Sequence, residues 1–176
     1  MIMQTLLGSW DRISGAGTNN ASFLSQVVAE AELAHSVMSF NTCYKDTGLF
    51  GVYAVAEPHS LNDLAYYTLE AMVRLAHKTS DSEVERAKQQ LKSTMLMTLD
   101  DTSTKAEDIG RQVLTYGRRL TPAEIFARID AVDATAVKAA ANKFIFDQDL
   151  AVAGVGNIHD LPDYQWLRRR TFWVRY

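Results

Sequence analysis

Ala34-His35-Ser36-Val37-Met38-Ser39-Phe40-Asn41-Thr42-Cys43-Tyr44, then Lys45-Asp46-Thr47-Gly48, then Leu49-Phe50-Gly51-Val52-Tyr53-Ala54-Val55 is the stretch on which the fold turns. Val37, Phe40, Thr42 and Tyr44 are β-branched or aromatic, the types that fit a pleated, half-buried surface. Two such runs around a short turn holding Asp46 and Gly48 predict a β-hairpin. Upstream, Met1-Ile2-Met3-Gln4-Thr5-Leu6-Leu7 reads as a helix running to about Trp10 or Asp11, without a cap or polar lead before it. Ser14 to Asn20 is a loop by composition. Ala21 to Leu33 is amphipathic, with Phe23, Leu24, Val27, Val28 and Ala31 at helical spacing.

Downstream of the hairpin the chain reads as helical. Ser60 can cap a helix whose stripe is Leu61, Leu64, Ala65, Thr68, Met72, Leu75 and Ala76. Ser80-Asp81-Ser82-Glu83 is a capping box, in which the Ser hydroxyl and the Glu carboxylate each satisfy an orphan N–H. Thr104-Lys105-Ala106-Glu107 reads as another, and Thr121-Pro122-Ala123-Glu124 as a third with Pro at the first helical position. Asp133 can cap a last helix to about Phe144. Leu150-Ala151-Val152-Ala153-Gly154-Val155 is a short apolar run, expected to be a buried strand. The fold class is therefore α+β, an α/β two-layer arrangement: an antiparallel hairpin plus one further strand, packed under several helices. Three strands make a thin sheet for so many helices, and further strands are expected from elsewhere.

Composition bounds the function. With 176 residues, 47% of them hydrophobic and a formal charge of −3, the chain is long and apolar enough for one core. A single cysteine, Cys43, excludes a disulfide framework and a cysteine zinc cage. A net acidic chain is not a typical nucleic-acid binder, and none is expected as a partner. No segment reaches the roughly 18 uninterrupted apolar residues of a membrane span. The start has neither a basic lead nor an Arg before Arg12, so it reads as neither a signal nor a transit peptide. None of His35, His59, His77 and His159 lies in H-x-x-E-H or H-E-x-x-H, the spacings that place two imidazoles and a Glu around zinc. Neither Gly15-Ala16-Gly17 nor Gly154-Val155-Gly156 continues as a dinucleotide fingerprint, and no P-loop or nucleophile elbow occurs.

A few side chains remain as candidates. His35 opens the hairpin, where it either contacts a ligand or carries a proton, or caps a helix C-terminus. Cys43 is expected to be a buried, inert thiol, because no basic partner is near in sequence. Asp100-Asp101 can hold a divalent cation, but adjacent Asp residues at a helix end more often mark a cap or turn. The tail Leu161 to Tyr176 interleaves rings with Arg168-Arg169-Arg170 and Arg175. Such a tail can stack on RNA, sit at a membrane interface, or pack its rings into a groove while its Arg groups meet carboxylates, the commonest of the three.

Longer strings carry a resemblance. They are the hairpin Ala34 to Tyr53, Ala106-Glu107-Asp108-Ile109-Gly110-Arg111-Gln112 with Thr115-Tyr116-Gly117-Arg118-Arg119, Phe126 to Asp133, and Leu161-Pro162-Asp163-Tyr164 with Arg168-Arg169-Arg170. Together they resemble the mitochondrial, presequence-processing branch of the pitrilysin-type zinc metallopeptidases (inverzincins), in its plant and algal form, over nearly the whole chain. The family has two similar α/β halves around a cavity, with the H-x-x-E-H zinc motif and a distal Glu in the N-terminal half. The resemblance places residues 1–176 in the C-terminal half only, as a single, N-terminally incomplete C-terminal domain of a β-type subunit, with 160–176 as its aromatic and basic tail. The opening strands would precede Met1.

Several expectations follow from that resemblance. The parent is a zinc metalloendopeptidase subunit that removes presequences from imported precursors and, in plants and algae, also serves as a core subunit of the respiratory ubiquinol–cytochrome c oxidoreductase; the alternative is a non-catalytic core subunit. No catalytic or metal-ligating residue and no cofactor belongs to this chain, zinc being held by the other half. Expected partners are the α subunit or second core protein, other subunits of the respiratory complex, and basic presequence peptides. The expected location is the mitochondrial matrix, peripheral to the inner membrane. Many members place an Arg and a Tyr seven residues apart in this half; the aligned positions are Val28 and His35, neither keeps the family residue, and no role is carried over. His35 stays a candidate cavity-facing side chain. The isolated chain is expected to be inactive and poorly soluble, its sheet edge left open.

Overall fold

Ser9–Asp11 (β1), Ser36–Cys43 (β2) and Gly48–Val55 (β3) pair antiparallel in that spatial order in a computed structural model that describes residues 1–14, 19–44 and 46–172. Trp10 lies opposite Val37 and Val37 opposite Ala54; Ser39 faces Val52 and Asn41 faces Phe50. Strand residues alternate between faces, so this register puts Trp10, Val37, Ser39, Phe50 and Val52 on one side. That side is covered: Trp10, Val37 and Ser39 are buried, and Phe50 and Val52 pack partly against the core. The opposite face is bare. Met38, Leu49, Tyr53 and Val55 are all exposed there. Phe40 lies over Gly51, where an added Cβ would come within 2.8 Å of its ring. The hairpin expected from sequence is therefore present over both predicted runs.

The third strand is not the one expected. Leu150-Ala151-Val152-Ala153-Gly154-Val155 is not a strand: it runs outside the sheet, exposed nearly throughout, with Val155 fully exposed. An extended run becomes a strand only where a neighbour offers N–H and C=O groups, and no described strand lies beside it. Strand β1 comes instead from the end of the predicted first helix. That helix, α1, spans only Ile2–Leu7, because Gly8 takes a left-handed φ of 74° and turns the chain. Most of the Ser14 to Asn20 loop, residues 15–18, lies outside the described residues, as does Lys45 of the hairpin turn.

Of the five predicted helix starts, those at Ser80, Thr121 and Asp133 form as expected and two do not, while Ser22 and Asp163 are further caps. Helix α2 (Phe23–Glu30) is capped by Ser22, α4 (Asp81–Thr98) by the full Ser80–Glu83 box, and α6 (Pro122–Asp130) by Thr121. Asp133 caps α7 (Ala134–Phe144), and Asp163 caps α8 (Tyr164–Arg170), a helix within what reads from sequence only as a tail. The first exception is α3 (Leu61–His77): the Ser60 hydroxyl donates to Glu57 O at 3.1 Å instead of capping. The second is α5 (Thr102–Tyr116), which begins before the Thr104–Glu107 box because Asp101 accepts from Thr104 N. Helices α1 and α2 lie against the sheet and α3 packs on both of them, with α4 on α1 and α7 and α8 on α3. Leu7, Leu24, Val28 and Val84 lie at the centre of this core.

Small hydroxyls lock the α1–β1 junction onto the hairpin. Ser39 Oγ lies within reach of Gln4 O (2.9 Å) and Gly8 O (2.7 Å), while Gln4 Nε2 donates to Ser39 O at 3.0 Å. The buried Ser22 hydroxyl donates to Leu7 O, which has lost its helical partner at the turn. A Cβ on Gly8 would lie 2.7 Å from Ser22 Cβ. The same close approach that satisfies these carbonyls thus requires glycine.

Candidate functional site

Two surfaces hold the chemistry-bearing side chains. The first is the open end of the hairpin. The ladder continues one residue beyond the strands, with His35 N donating to Val55 O at 2.7 Å and Arg12 N to His35 O at 2.9 Å. This fixes the His35 backbone and lets its ring reach Glu57, with Nε2 3.0 Å from Oε1. Arg12 pairs with Glu32 at 3.6 Å beside it. His35 is exposed and partners a carboxylate rather than a carbonyl at the end of α2, where Val28 O accepts from Leu33 N at 3.2 Å. Val28, the other aligned family position, is completely buried. The two positions do not meet at one surface.

The second surface is α8. Arg168 donates to Asp149 through Nε at 2.7 Å and to Asp147 through Nη1 at 2.9 Å; these bonds hold its pKa above the ordinary value. Arg170 lies 4.6 Å above the Trp166 ring and 4.8 Å from the Tyr66 ring of α3. Leu167 is buried. The commonest of the three readings therefore holds for Arg168, which meets carboxylates, but not for the rings: the buried residue is Leu167, and Trp166, Arg169, Arg170 and Phe172 line a pocket of about 390 Å³. Residues 173–176 of the predicted tail lie outside the described residues.

The remaining candidates resolve as structure. Cys43 is exposed rather than buried, because the hairpin tip projects beyond the helical layer; its Sγ is 4.0 Å from Asn41 Oδ1. Asp101 is a cap, and its hydrogen bonds from the Thr104 backbone and hydroxyl lower its pKa. Arg118 grips Glu124 with both Nη atoms, at 2.8 and 2.7 Å, and Arg128 adds a third bond at 2.8 Å. Arg118 first, then Arg128, pulls the Glu124 carboxyl down to about 2. Among the described residues no three His, Cys, Asp or Glu side chains are placed to hold a metal ion. The residues here do not fit a zinc site. The Tyr66–Arg170–Trp166 stack had no signal in the sequence, because α3 and α8 are a hundred residues apart; Asp163 three before Trp166 did carry the cap signal.

The described residues place a helical layer on one face of a three-stranded antiparallel sheet. The chain belongs to the peptidase M16 family: residues 1–91 match its model described as the peptidase M16 inactive domain. Over 176 residues, all of this chain and 33% of the relative, it is 57% identical to the probable mitochondrial-processing peptidase subunit beta of Arabidopsis thaliana. It is 44% identical to mitochondrial-processing peptidase subunit beta of Bos taurus over 174 residues, 99% of this chain and 36% of that protein. Its fold superposes with a TM-score of 0.92, at 28% identity, on a chain of complex III2 from Candida albicans with Inz-5 bound, covering 98% of this chain and 42% of that one. The chain spans about one third of the length of the curated relatives it matches.

Proposed function

We propose that residues 1–176 are part of the C-terminal domain of a β-type subunit of a mitochondrial processing peptidase, a single domain that is incomplete at its N-terminal side. The observation that carries this is the 57% identity to a probable mitochondrial-processing peptidase subunit beta along the whole chain. The extended, unpaired Leu150–Val155 run supports the incomplete domain, since its backbone groups are what a further strand would pair. The parent protein cleaves presequences from imported precursors in the matrix, with an α subunit as partner. The zinc-activated water of that chemistry belongs to the other half of the protein, so no step is assigned to this chain. Its role is to form the far wall of the cavity, with His35 and Glu57 at the hairpin end facing the presequence.

The likeness to a chain of complex III2 favours a second role in the same protein, as a core subunit on the matrix side of the respiratory complex. Affinity capture of the full-length protein from mitochondria separates the readings. Presequence cleavage lost on chelation and restored by zinc supports the peptidase; co-purified cytochrome c reductase without cleavage leaves only the structural role. His35→Ala in the full-length heterodimer is expected to weaken presequence cleavage several-fold, and unchanged cleavage removes His35 from the cavity wall.

A further inference from the structure

Helix α8 and the residues after it differ in charge from the rest of this net acidic chain. From Tyr164 to Phe172 there are three arginines and no Asp or Glu. Of the nearby carboxylates, Asp147 and Asp149 both bind Arg168, and Asp163 accepts from Trp166 N as the cap of α8. Arg169 is exposed, and among the described residues it has no carboxylate partner; its Nε bonds only the Gln165 carbonyl at 3.3 Å. Its positive charge sits where a helix C-terminus already attracts cations, yet the guanidinium is left pointing to solvent beside apolar rings. Trp166 and Phe172 line the same pocket, Phe172 is 46% exposed, and Tyr164 is 49% exposed one turn earlier.

Partly exposed aromatic rings beside unneutralised arginine are the composition of a membrane–water interface. The amphipathic rings sit at headgroup level, and the guanidinium meets phosphate. A soluble protein surface of this kind is normally balanced by interspersed acids; here the acids nearby are engaged by Arg168 and by the α8 cap, and among the described residues none pairs with Arg169. We propose that the α8 surface, with Arg169, Trp166 and Phe172, docks on the phosphate headgroups of an anionic bilayer. Arg168 and Arg170 serve it indirectly: clamped by Asp147 and Asp149, and stacked on Tyr66 and Trp166, they hold the helix rigidly in the orientation that presents Arg169. The proposal concerns surface chemistry and does not rest on presequence processing.

The test is sedimentation of the full-length protein carrying this chain with vesicles of phosphatidylcholine alone or mixed with phosphatidylglycerol. Binding is expected to the anionic vesicles only and to weaken with salt. Arg169→Gln is expected to lower partitioning about five-fold, the factor that one interfacial arginine contributes, while Arg169→Lys keeps most of it. Circular dichroism verifies that these exposed substitutions leave the fold intact. Equal binding to both vesicle types, an Arg169→Gln variant that partitions like the parent, displacement by millimolar inorganic phosphate, or preferential capture of single-stranded RNA would each overturn the proposal. Presequence cleavage is scored separately, so loss of one reading leaves the other intact.

Discussion

The α1–α3 and sheet region differs from the arm formed by the end of α4, α5 and α6. In the first, apolar side chains point inward: Leu7, Leu24 and Val28 are at most 2% exposed, and the α1–β1 turn is held by buried hydroxyls. In the second, those at the end of α4 and on α5 point outward, while Ile129 of α6 is buried in the core. Leu96, Met97, Val113, Leu114 and Tyr116 are exposed, and the one buried residue of α5 is Gln112. That arm is held by polar clips instead. Gln112 bonds Asp108 and the Leu120 N–H, Lys92 bonds Asp130, and Arg118 and Arg128 hold Glu124. The difference teaches where the free energy lies: area removed from water stabilises the first region, whereas exposed ion pairs stabilise the second only weakly. Residues 1–91, which match the family model, contain most of that core.

The contrast predicts a gradient of effects. Leu24→Ala removes a side chain from the centre of the core and is expected to cost about 3–4 kcal/mol in denaturant unfolding. A loss under ~1 kcal/mol would mean that the core is not the source of stability. Gly8→Ala meets both a positive φ and the Ser22 Cβ, and is expected to cost about 2–3 kcal/mol. If Gly8→Ala unfolds at the parent's denaturant midpoint, the locked α1–β1 turn is wrong.

The arm responds to pH rather than to packing. Glu124 has a folded pKa of about 2 against an ordinary 4.5, so its ion pairs contribute stability above pH 4.5 that is lost as pH falls toward 2. Carboxyl titration by NMR is expected to place Glu124 well below the other glutamates, and Glu124→Gln should flatten the acid limb of stability. A Glu124 midpoint near 4.5 would break the clip. The smallest effect is expected at Leu114, 87% exposed: Leu114→Ser should shift stability by no more than ~0.5 kcal/mol in thermal unfolding. A larger loss would show that α5 is packed, and would erase the contrast.

Much of this was legible in the chain itself because the signals are local. The hairpin follows from alternating β-branched and aromatic runs around one turn, and Ser80, Thr121 and Asp133 cap where their spacing to the next helix predicts. The strings around the hairpin and Arg118-Arg119 carried the family resemblance, and with it the expectation that the metal site belongs elsewhere. The candidate surfaces were legible only as residue types. His35 could be named, but not its carboxylate partner Glu57, which the far strand delivers. Cys43 was misjudged because strand composition does not say how far a hairpin projects past the layer that covers it.

The sequence by itself determined the elements whose hydrogen bonds close within a few residues: most of the helices, the caps at Ser80, Thr121 and Asp133, and the hairpin. Only the tertiary structure decided which apolar runs become strands. Trp10 entered the sheet because Gly8 and the Ser22 and Ser39 hydroxyls turn the chain onto Val37, while Leu150–Val155, the more strand-like run, stayed outside for want of a neighbour. A strand is a property of two segments, and its partner can be far away in sequence. The same holds for Arg169, which is left to solvent while folding brings Asp147 and Asp149 to the arginine before it.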